Sequence, residues 1–113
     1  MRIAIPITGG TLEQHFGHCE KFALVDVDPA TRQVTASSEV DAPEHQHGVF
    51  PAWLKERNVT LVIAGGIGTH ARSLCNQLSI EVLTGAPSEA AASLVQQYLQ
   101  GSLVSSDHVC EHH

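Results

Sequence analysis

The stretch that decides the fold is VTLVIAGGIGTH, residues 59–70. Val59 to Ala64 is a continuous apolar run, which is typical of a strand buried on both faces of a sheet. A glycine-rich turn follows it, and Thr69 is predicted to be the N-cap of the next helix. A strand, a tight turn and a helix in this order indicate an α/β fold with parallel strands.

The residues before this stretch predict three strands and one helix. Residues 1–7 and 22–27 are apolar and rich in β-branched side chains, whereas residues 33–39 are more polar and suit a strand at the edge of a sheet. Asp28-Pro29-Ala30-Thr31 has the composition of a tight turn, so the second and third strands form a hairpin. A helical stripe then runs through Phe50, Trp53, Leu54 and Arg57.

The residues after this stretch continue the alternation of helix and strand. A short strand over residues 80–83 precedes a helix that Ser88 is predicted to cap and Gly101 to end. We therefore predict one α/β domain over residues 1–103, built on a mixed five-stranded sheet flanked by helices. Residues 104–113 are predicted to be a His- and Cys-containing C-terminal tail.

Composition excludes several classes of function. The 113 residues include six Lys and Arg against twelve Asp and Glu, a formal net charge of −6, which argues against nucleic-acid binding. No apolar run is long enough for a membrane span, and the early Pro6 does not suit a signal peptide. Three widely spaced cysteines indicate a reducing compartment, so we expect a cytoplasmic protein. Histidine is the unusual residue, with eight copies.

The densest group of candidate ligands is His15-Phe16-Gly17-His18-Cys19, in the loop after the first strand. Imidazole and thiolate together suit zinc, copper, iron or an iron–sulfur centre better than hard cations. We take His15, His18 and Cys19 as candidate cofactor ligands, with direct metal ligation most plausible for His18 and Cys19. The alternative is that His18 bonds the backbone and Cys19 is a small core residue.

Two other groups of histidines could bind metal. His45 and His47 lie in a loop, where they could converge on one ion or simply face solvent. The tail offers Cys110, His112 and His113, which would capture Cu, Ni or Zn even in an unfolded segment. The tail could equally be a solvated end or a remnant of an expression tag.

The glycine turn is a candidate anion site. Gly65, Gly66 and Gly68 would let backbone N–H groups face outward at a helix N-terminus, with Thr69 and His70 as further donors. The turn lacks the Gly-Lys-Ser/Thr of a nucleotide-binding P-loop and the full dinucleotide fingerprint. The alternative is a tight turn that serves only close packing of strand and helix.

Catalytic constellations are missing from the sequence. There is no Gly-x-Ser-x-Gly elbow for a nucleophile, and no group of convergent carboxylates for hydrolysis or for Mg²⁺. We therefore expect a protein that is not an enzyme.

The sequence resembles the dinitrogenase iron–molybdenum cofactor biosynthesis family. The resemblance rests on the N-terminal MRIAIP, on His15-Phe16-Gly17-His18-Cys19 with Phe22 and Asp26, and on VIAGGIG at residues 62–68. The family includes NifX, NafY, the C-terminal region of NifB and small stand-alone members such as the orange protein. It implies a ribonuclease-H-like fold without nuclease activity and the binding of an anionic metal–sulfur cluster.

The leading hypothesis is therefore a non-enzymatic carrier or scaffold for a metal–sulfur cluster of the Fe–S, Mo–Fe–S or Mo–Cu–S type. The first loop and the turn from Gly65 to His70 would form the pocket, with His45 and His47 at its rim. Expected partners are proteins that donate or accept the cluster, with an assembly ATPase as a further candidate, and we expect a monomer or weak homodimer. The alternatives are a divalent-metal binder that uses the His-rich loop and tail, and an interaction module without cargo.

Overall fold

The structure, a computed structural model, describes residues 1–14, 16, 19–43 and 49–103. Its elements follow the predicted order, with strands in the first half and alternating helices and strands in the second. They are β1 (Arg2–Thr8), β2 (Thr11–Leu12), β3 (Lys21–Asp28), β4 (Gln33–Asp41), α1 (Val49–Glu56), β5 (Leu61–Ile63), α2 (Thr69–Gln77), β6 (Glu81–Leu83) and α3 (Ala91–Gln100). None of the helices that the structure describes is long and apolar enough to cross a membrane.

The sheet is mixed, as predicted. Its main strands lie in the order β4-β3-β1-β5-β6. The hairpin of β3 and β4 is antiparallel and so is the pairing of β1 with β3, whereas β5 is parallel to both β1 and β6. β5 is therefore an interior strand, and β4 is an edge strand whose residues 33–39 are all exposed. The sequence predicted both positions correctly.

The number of strands was predicted wrongly, because the described residues form six strands instead of five. The additional strand is β2, which pairs back onto the end of β1 through Ile7 with Leu12 and Thr8 with Thr11. Gly9 and Gly10 make the reversal with φ values of 64° and 88°, which glycine adopts at little energetic cost. A strand of two residues has no periodicity, so no pattern in the sequence could indicate it.

Two predicted helix caps are also wrong. The N-cap of α2 is Gly68, and Thr69 is the first helical residue. The N-cap of α3 is Ala90, two residues after the predicted cap. The Ser88 hydroxyl instead accepts a hydrogen bond from the Gln14 side chain, with Nε2 and Oγ 2.6 Å apart. At the other end of α3 the prediction is confirmed, because Gly101 adopts a left-handed conformation with φ of 77°.

Helices cover both faces of the sheet and produce two apolar clusters. α3 contributes Leu94 and Val95 to one cluster, which also holds the β1 side chains Ile3, Ile5 and Ile7. α1 and α2 cover the other face, where a second cluster is built around four aromatic rings. These rings are Phe16, Phe22, Phe50 and Trp53, with centroids of neighbouring rings 5.2–6.0 Å apart.

Candidate functional site

A cleft of about 300 Å³ opens at the carboxyl ends of β5 and β6. Open α/β sheets commonly bind ligands at this edge, because loops and helix N-termini converge there. The lining combines the predicted glycine turn with residues of α2 and of the segment after β6, namely Gly65, Gly66, Ile67, Thr69, Arg72 and Thr84.

The N-terminus of α2 gives this cleft its polarity. The cap residue Gly68 has no side chain with which to accept a hydrogen bond from the first amides of the helix. The first N–H groups of a helix lack partners within the helix and together carry a partial positive charge. His70 lies in the same first turn and is exposed. The predicted anion-binding elements are thus together at one end of α2.

Arg72 and Thr84 line the cleft, and the sequence analysis missed both. Arg72 follows Thr69 by three residues, a spacing that puts two side chains on the same face of a helix. That spacing was visible in the sequence, and it was the available signal for Arg72. Thr84 comes directly after β6, and Gly65 comes shortly after β5. The position of Thr84 beside the glycine turn therefore depends on how these two parallel strands pair.

The first loop meets the glycine turn through its backbone. Gly66 N–H donates to the Gln14 carbonyl at 2.9 Å, and Phe16 N–H donates to the Gly66 carbonyl at 3.1 Å. This contact follows from the parallel pairing of β1 with β5, which brings the loops after the two strands to the same edge of the sheet. His15 and His18 belong to this loop but lie outside the described residues, so their role in the site stays a prediction.

Gln14 also packs against the turn with its side chain. A Cβ atom added to Gly65 would lie 2.5 Å from Gln14 Oε1 and 3.1 Å from Gln14 Cα. A side chain at Gly65 therefore requires a shift of Gln14, so this glycine serves the close approach of the first loop to the turn. Gly68 is different, because nothing lies within 4 Å of a Cβ placed there.

Cys19 lies at the base of the same loop but inside the aromatic cluster. Its side chain is 9% exposed, and burial raises the pKa of the thiol to about 12. Burial likewise raises the pKa of Cys75 to about 11. Metals bind the thiolate form. The protonated state and apolar surroundings of Cys19 favour the core role over the predicted ligand role.

The remaining predicted ligands fall outside the described residues. These are His45 and His47 of the central loop and Cys110, His112 and His113 of the tail. Within the described ranges, no three His, Cys, Asp or Glu side chains come close enough together to hold a metal ion.

Comparison with known proteins identifies the family. Residues 1–101 match the family described as "Dinitrogenase iron-molybdenum cofactor". The chain belongs to this family. The resemblance noted in the sequence is therefore confirmed, and the match covers both the first loop and the glycine turn.

Individual proteins are similar to this chain over most of its length. MJ0580 of Methanocaldococcus jannaschii is 31% identical over 106 residues, which cover 91% of this chain and 89% of that protein. The crystal structure of PH0822 superposes with a TM-score of 0.85 at 29% identity, covering 93% of this chain and 94% of that one. The apo form of the orange protein from Desulfovibrio gigas has a TM-score of 0.74 at 24% identity, covering 92% and 91%. At this identity the likeness to the orange protein shows the fold alone.

Proposed function

We propose that this protein is a non-enzymatic carrier or scaffold that binds an anionic metal–sulfur cluster for cofactor assembly or delivery. The observation that carries the proposal is the cleft at the glycine turn, where the N-terminus of α2 and the side chain of Arg72 meet. Membership of a family described by the iron–molybdenum cofactor of dinitrogenase supports the nature of the cargo.

The chemistry of the cleft suits an anion with several acceptor atoms. The sulfide ligands of such a cluster carry negative charge and accept hydrogen bonds. Helix amides, the Thr69 and Thr84 hydroxyls and the Arg72 guanidinium are donors of the matching kind. A local positive cleft is all that this requires, so the formal net charge of −6 of the whole chain is no obstacle.

We assign the first loop to the other side of the pocket. In this proposal His15 and His18 supply imidazole donors, while His45 and His47 lie at the rim. The backbone bonds between Gly66 and the first loop support this arrangement. In this proposal Cys19 packs in the core and is not a metal ligand, since its burial disfavours the thiolate that a metal would need.

The proposal covers three classes of metal–sulfur cluster. An iron–molybdenum cofactor precursor, an iron–sulfur cluster and a molybdenum–copper sulfide cluster all have anionic sulfide surfaces. The partners are then the cytoplasmic proteins that donate and accept the cluster, with an assembly ATPase as a further candidate. The finer fold assignment that the family resemblance implies, ribonuclease-H-like, is part of the same proposal.

Anaerobic reconstitution with tetrathiomolybdate and Cu(I) tests this proposal. We expect visible charge-transfer bands that co-elute with the protein in gel filtration, because a bound sulfide cluster is coloured and a zinc-only binder is not. Hydrogen bonds to charged groups contribute about 1.5–3 kcal/mol, so Arg72→Gln should weaken binding about tenfold or more.

A matched control is Arg32→Gln. Arg32 lies in the turn between β3 and β4, and its guanidinium donates to the Leu99 carbonyl at 2.7 Å. Because β3 runs antiparallel to β1, that turn is at the opposite end of the sheet from the glycine turn. Absence of coloured complex in the wild type, or equal affinity of the two arginine variants, would refute the proposal.

A further inference from the structure

Gln14 connects three segments that are far apart in the sequence. Its carbonyl accepts the Gly66 N–H at 2.9 Å, its Nε2 donates to Ser88 Oγ at 2.6 Å, and its Oε1 lies over Gly65. The first loop, the glycine turn and the lead-in to α3 therefore meet at this one residue, through its backbone carbonyl and its side-chain amide.

The lead-in to α3 is itself fixed against the start of the first loop. Leu12 N–H donates to the Glu89 carbonyl at 3.0 Å, and Thr11 forms an isolated antiparallel bridge with Ala90. Ser88 is thus held next to Gln14 by backbone contacts that do not involve either side chain. Its hydroxyl is available to Gln14 because it does not cap α3.

Both side chains are exposed, which separates this contact from the core. An exposed hydrogen bond can be exchanged for one with water, so its net contribution to stability is small. The hydrogen bond has a larger effect on geometry, because it holds the side-chain amide of Gln14 against Gly65. It thereby also positions Gln14 itself, the residue at which the first loop begins. A fixed Gln14–Gly66 contact preorganises the turn that lines the cleft, which lowers the ordering cost of binding a ligand there.

We propose that Gln14 is a positioning residue, which sets the distance between the first loop and the glycine turn and is itself held by the Ser88 hydroxyl. The inference rests on the proposed function for its effect on binding. Its structural part, the fixing of the Gln14–Gly66 contact by Ser88, is independent of any ligand.

The test compares Ser88→Ala with Ser88→Thr, since the first removes the hydroxyl and the second keeps it. Amide hydrogen exchange of Gly66 and Phe16 is followed by NMR in the free protein, and affinity is then measured with tetrathiomolybdate and Cu(I). We expect Ser88→Ala to accelerate exchange at both amides and to weaken binding about two- to tenfold. Ser88→Thr should match the wild type in both measurements.

The outcomes separate the two proposals. Unchanged exchange in Ser88→Ala, or faster exchange with unchanged affinity, would overturn the positioning role of Gln14. If the wild type binds no tetrathiomolybdate, the proposed function fails, while the exchange measurement still decides whether Ser88 fixes the contact. Should Ser88→Ala lower the melting temperature strongly, Gln14→Ala provides the second variant, with the same exchange and affinity changes expected.

Discussion

At Gly65 a Cβ atom would displace the end of the Gln14 side chain and lie 3.1 Å from Gln14 Cα, whereas Gly68 in the same turn has open space around it. Gly65→Ala should therefore destabilise the fold by about 1 kcal/mol, the lower end of the usual effect of an extra methyl group in a packed position, because the exposed Gln14 side chain can move aside. Gly68→Ser adds a Cβ without a clash and supplies the missing N-cap oxygen of α2, so we expect a gain of a few tenths of a kcal/mol. Urea unfolding of both variants measures the difference.

The two variants control for each other, because each adds a Cβ atom to the same turn. Equal loss of stability in both would mean that the turn tolerates no side chain anywhere. Equal tolerance would show that Gln14 moves away from Gly65 freely, and would weaken its proposed positioning role as well.

The two buried cysteines predict a loss of stability at alkaline pH. Burial raises the pKa of Cys19 to about 12 and that of Cys75 to about 11, from the ordinary thiol value of 9.0. At a pH between 9.0 and the raised pKa of each thiol, the unfolded chain releases a proton that the folded protein keeps. The free energy of unfolding must therefore fall as pH rises above about 9, by up to about 1.4 kcal/mol per pH unit for each thiol. Below about pH 8 the thiols stay protonated in both states, so they do not make the free energy of unfolding depend on pH.

Urea unfolding at pH 8 and pH 10 checks this prediction in the wild type and in Cys19→Ala/Cys75→Ala. Other groups also titrate in this range. The informative quantity is therefore the loss of unfolding free energy between pH 8 and pH 10 in the wild type minus the loss in the double variant. The double variant should lose less stability than the wild type over this interval. An identical loss would show that the thiols are not protonated in the folded protein as their burial requires.

Among the elements, β5 and β4 differ most in their surroundings. β5 lies between β1 and β6 with all three residues buried, whereas β4 pairs with β3 and lies at the edge of the described sheet. Amide exchange should therefore be slow throughout β5, where it requires global unfolding, and fast at the amides of β4 that point away from β3. Native-state exchange measured by NMR decides this, and equal protection of both strands would contradict the observed order of the sheet.

Elements with a local signature could be predicted from the sequence. The apolar run around Leu61–Ile63 and the stripe through Leu94 and Val95 mark a buried strand and a helix by periodicity alone. Gly101 marks the end of α3 because few other residues adopt its left-handed conformation. β2 has only two residues and depends on its pairing with β1, so no local pattern could reveal it.

Features that depend on distant residues were missed or misread. Ser88 has the chemistry of a helix cap, but its partner is Gln14, 74 residues away in the sequence. The glycine turn was recognised because strand, turn and helix are contiguous. Arg72 and Thr84 complete the cleft only when α2 and β6 are placed in the fold, and no pattern within a single element shows that they line one cleft.

At the scale of the whole molecule, the site and the core share Ile67, which lines the cleft and packs partly against the second apolar cluster, but they are otherwise built from different residues. The two apolar clusters lie on the two faces of the sheet, whereas the cleft lies beyond the carboxyl ends of β5 and β6. Exposed cleft residues such as Thr69 therefore do not contribute to the core. Substitutions at such positions should alter binding with little effect on stability, which makes affinity measurements on folded variants practical.

The C-terminal tail provides a test that distinguishes cluster binding from capture of free metal. Leu103 packs partly against the apolar cluster that holds Leu94 and Val95, and its N–H donates to the Gln97 carbonyl at 3.2 Å, so truncation after Leu103 keeps these contacts. The truncation removes Cys110, His112 and His113, which are suitable ligands for Cu or Zn. We expect it to lower the affinity for free Cu or Zn and to leave binding of the reconstituted cluster unchanged.

Metal titration with a competing chelator and anaerobic reconstitution with tetrathiomolybdate and Cu(I) measure these two affinities. His18→Ala in the full chain is the complementary variant, because it alters the first loop and keeps the tail. It should weaken cluster binding and leave capture of free Zn largely to the tail. If the truncated protein loses the cluster while His18→Ala keeps it, the binding site belongs to the tail, and the contacts between the first loop and the glycine turn serve only the fold.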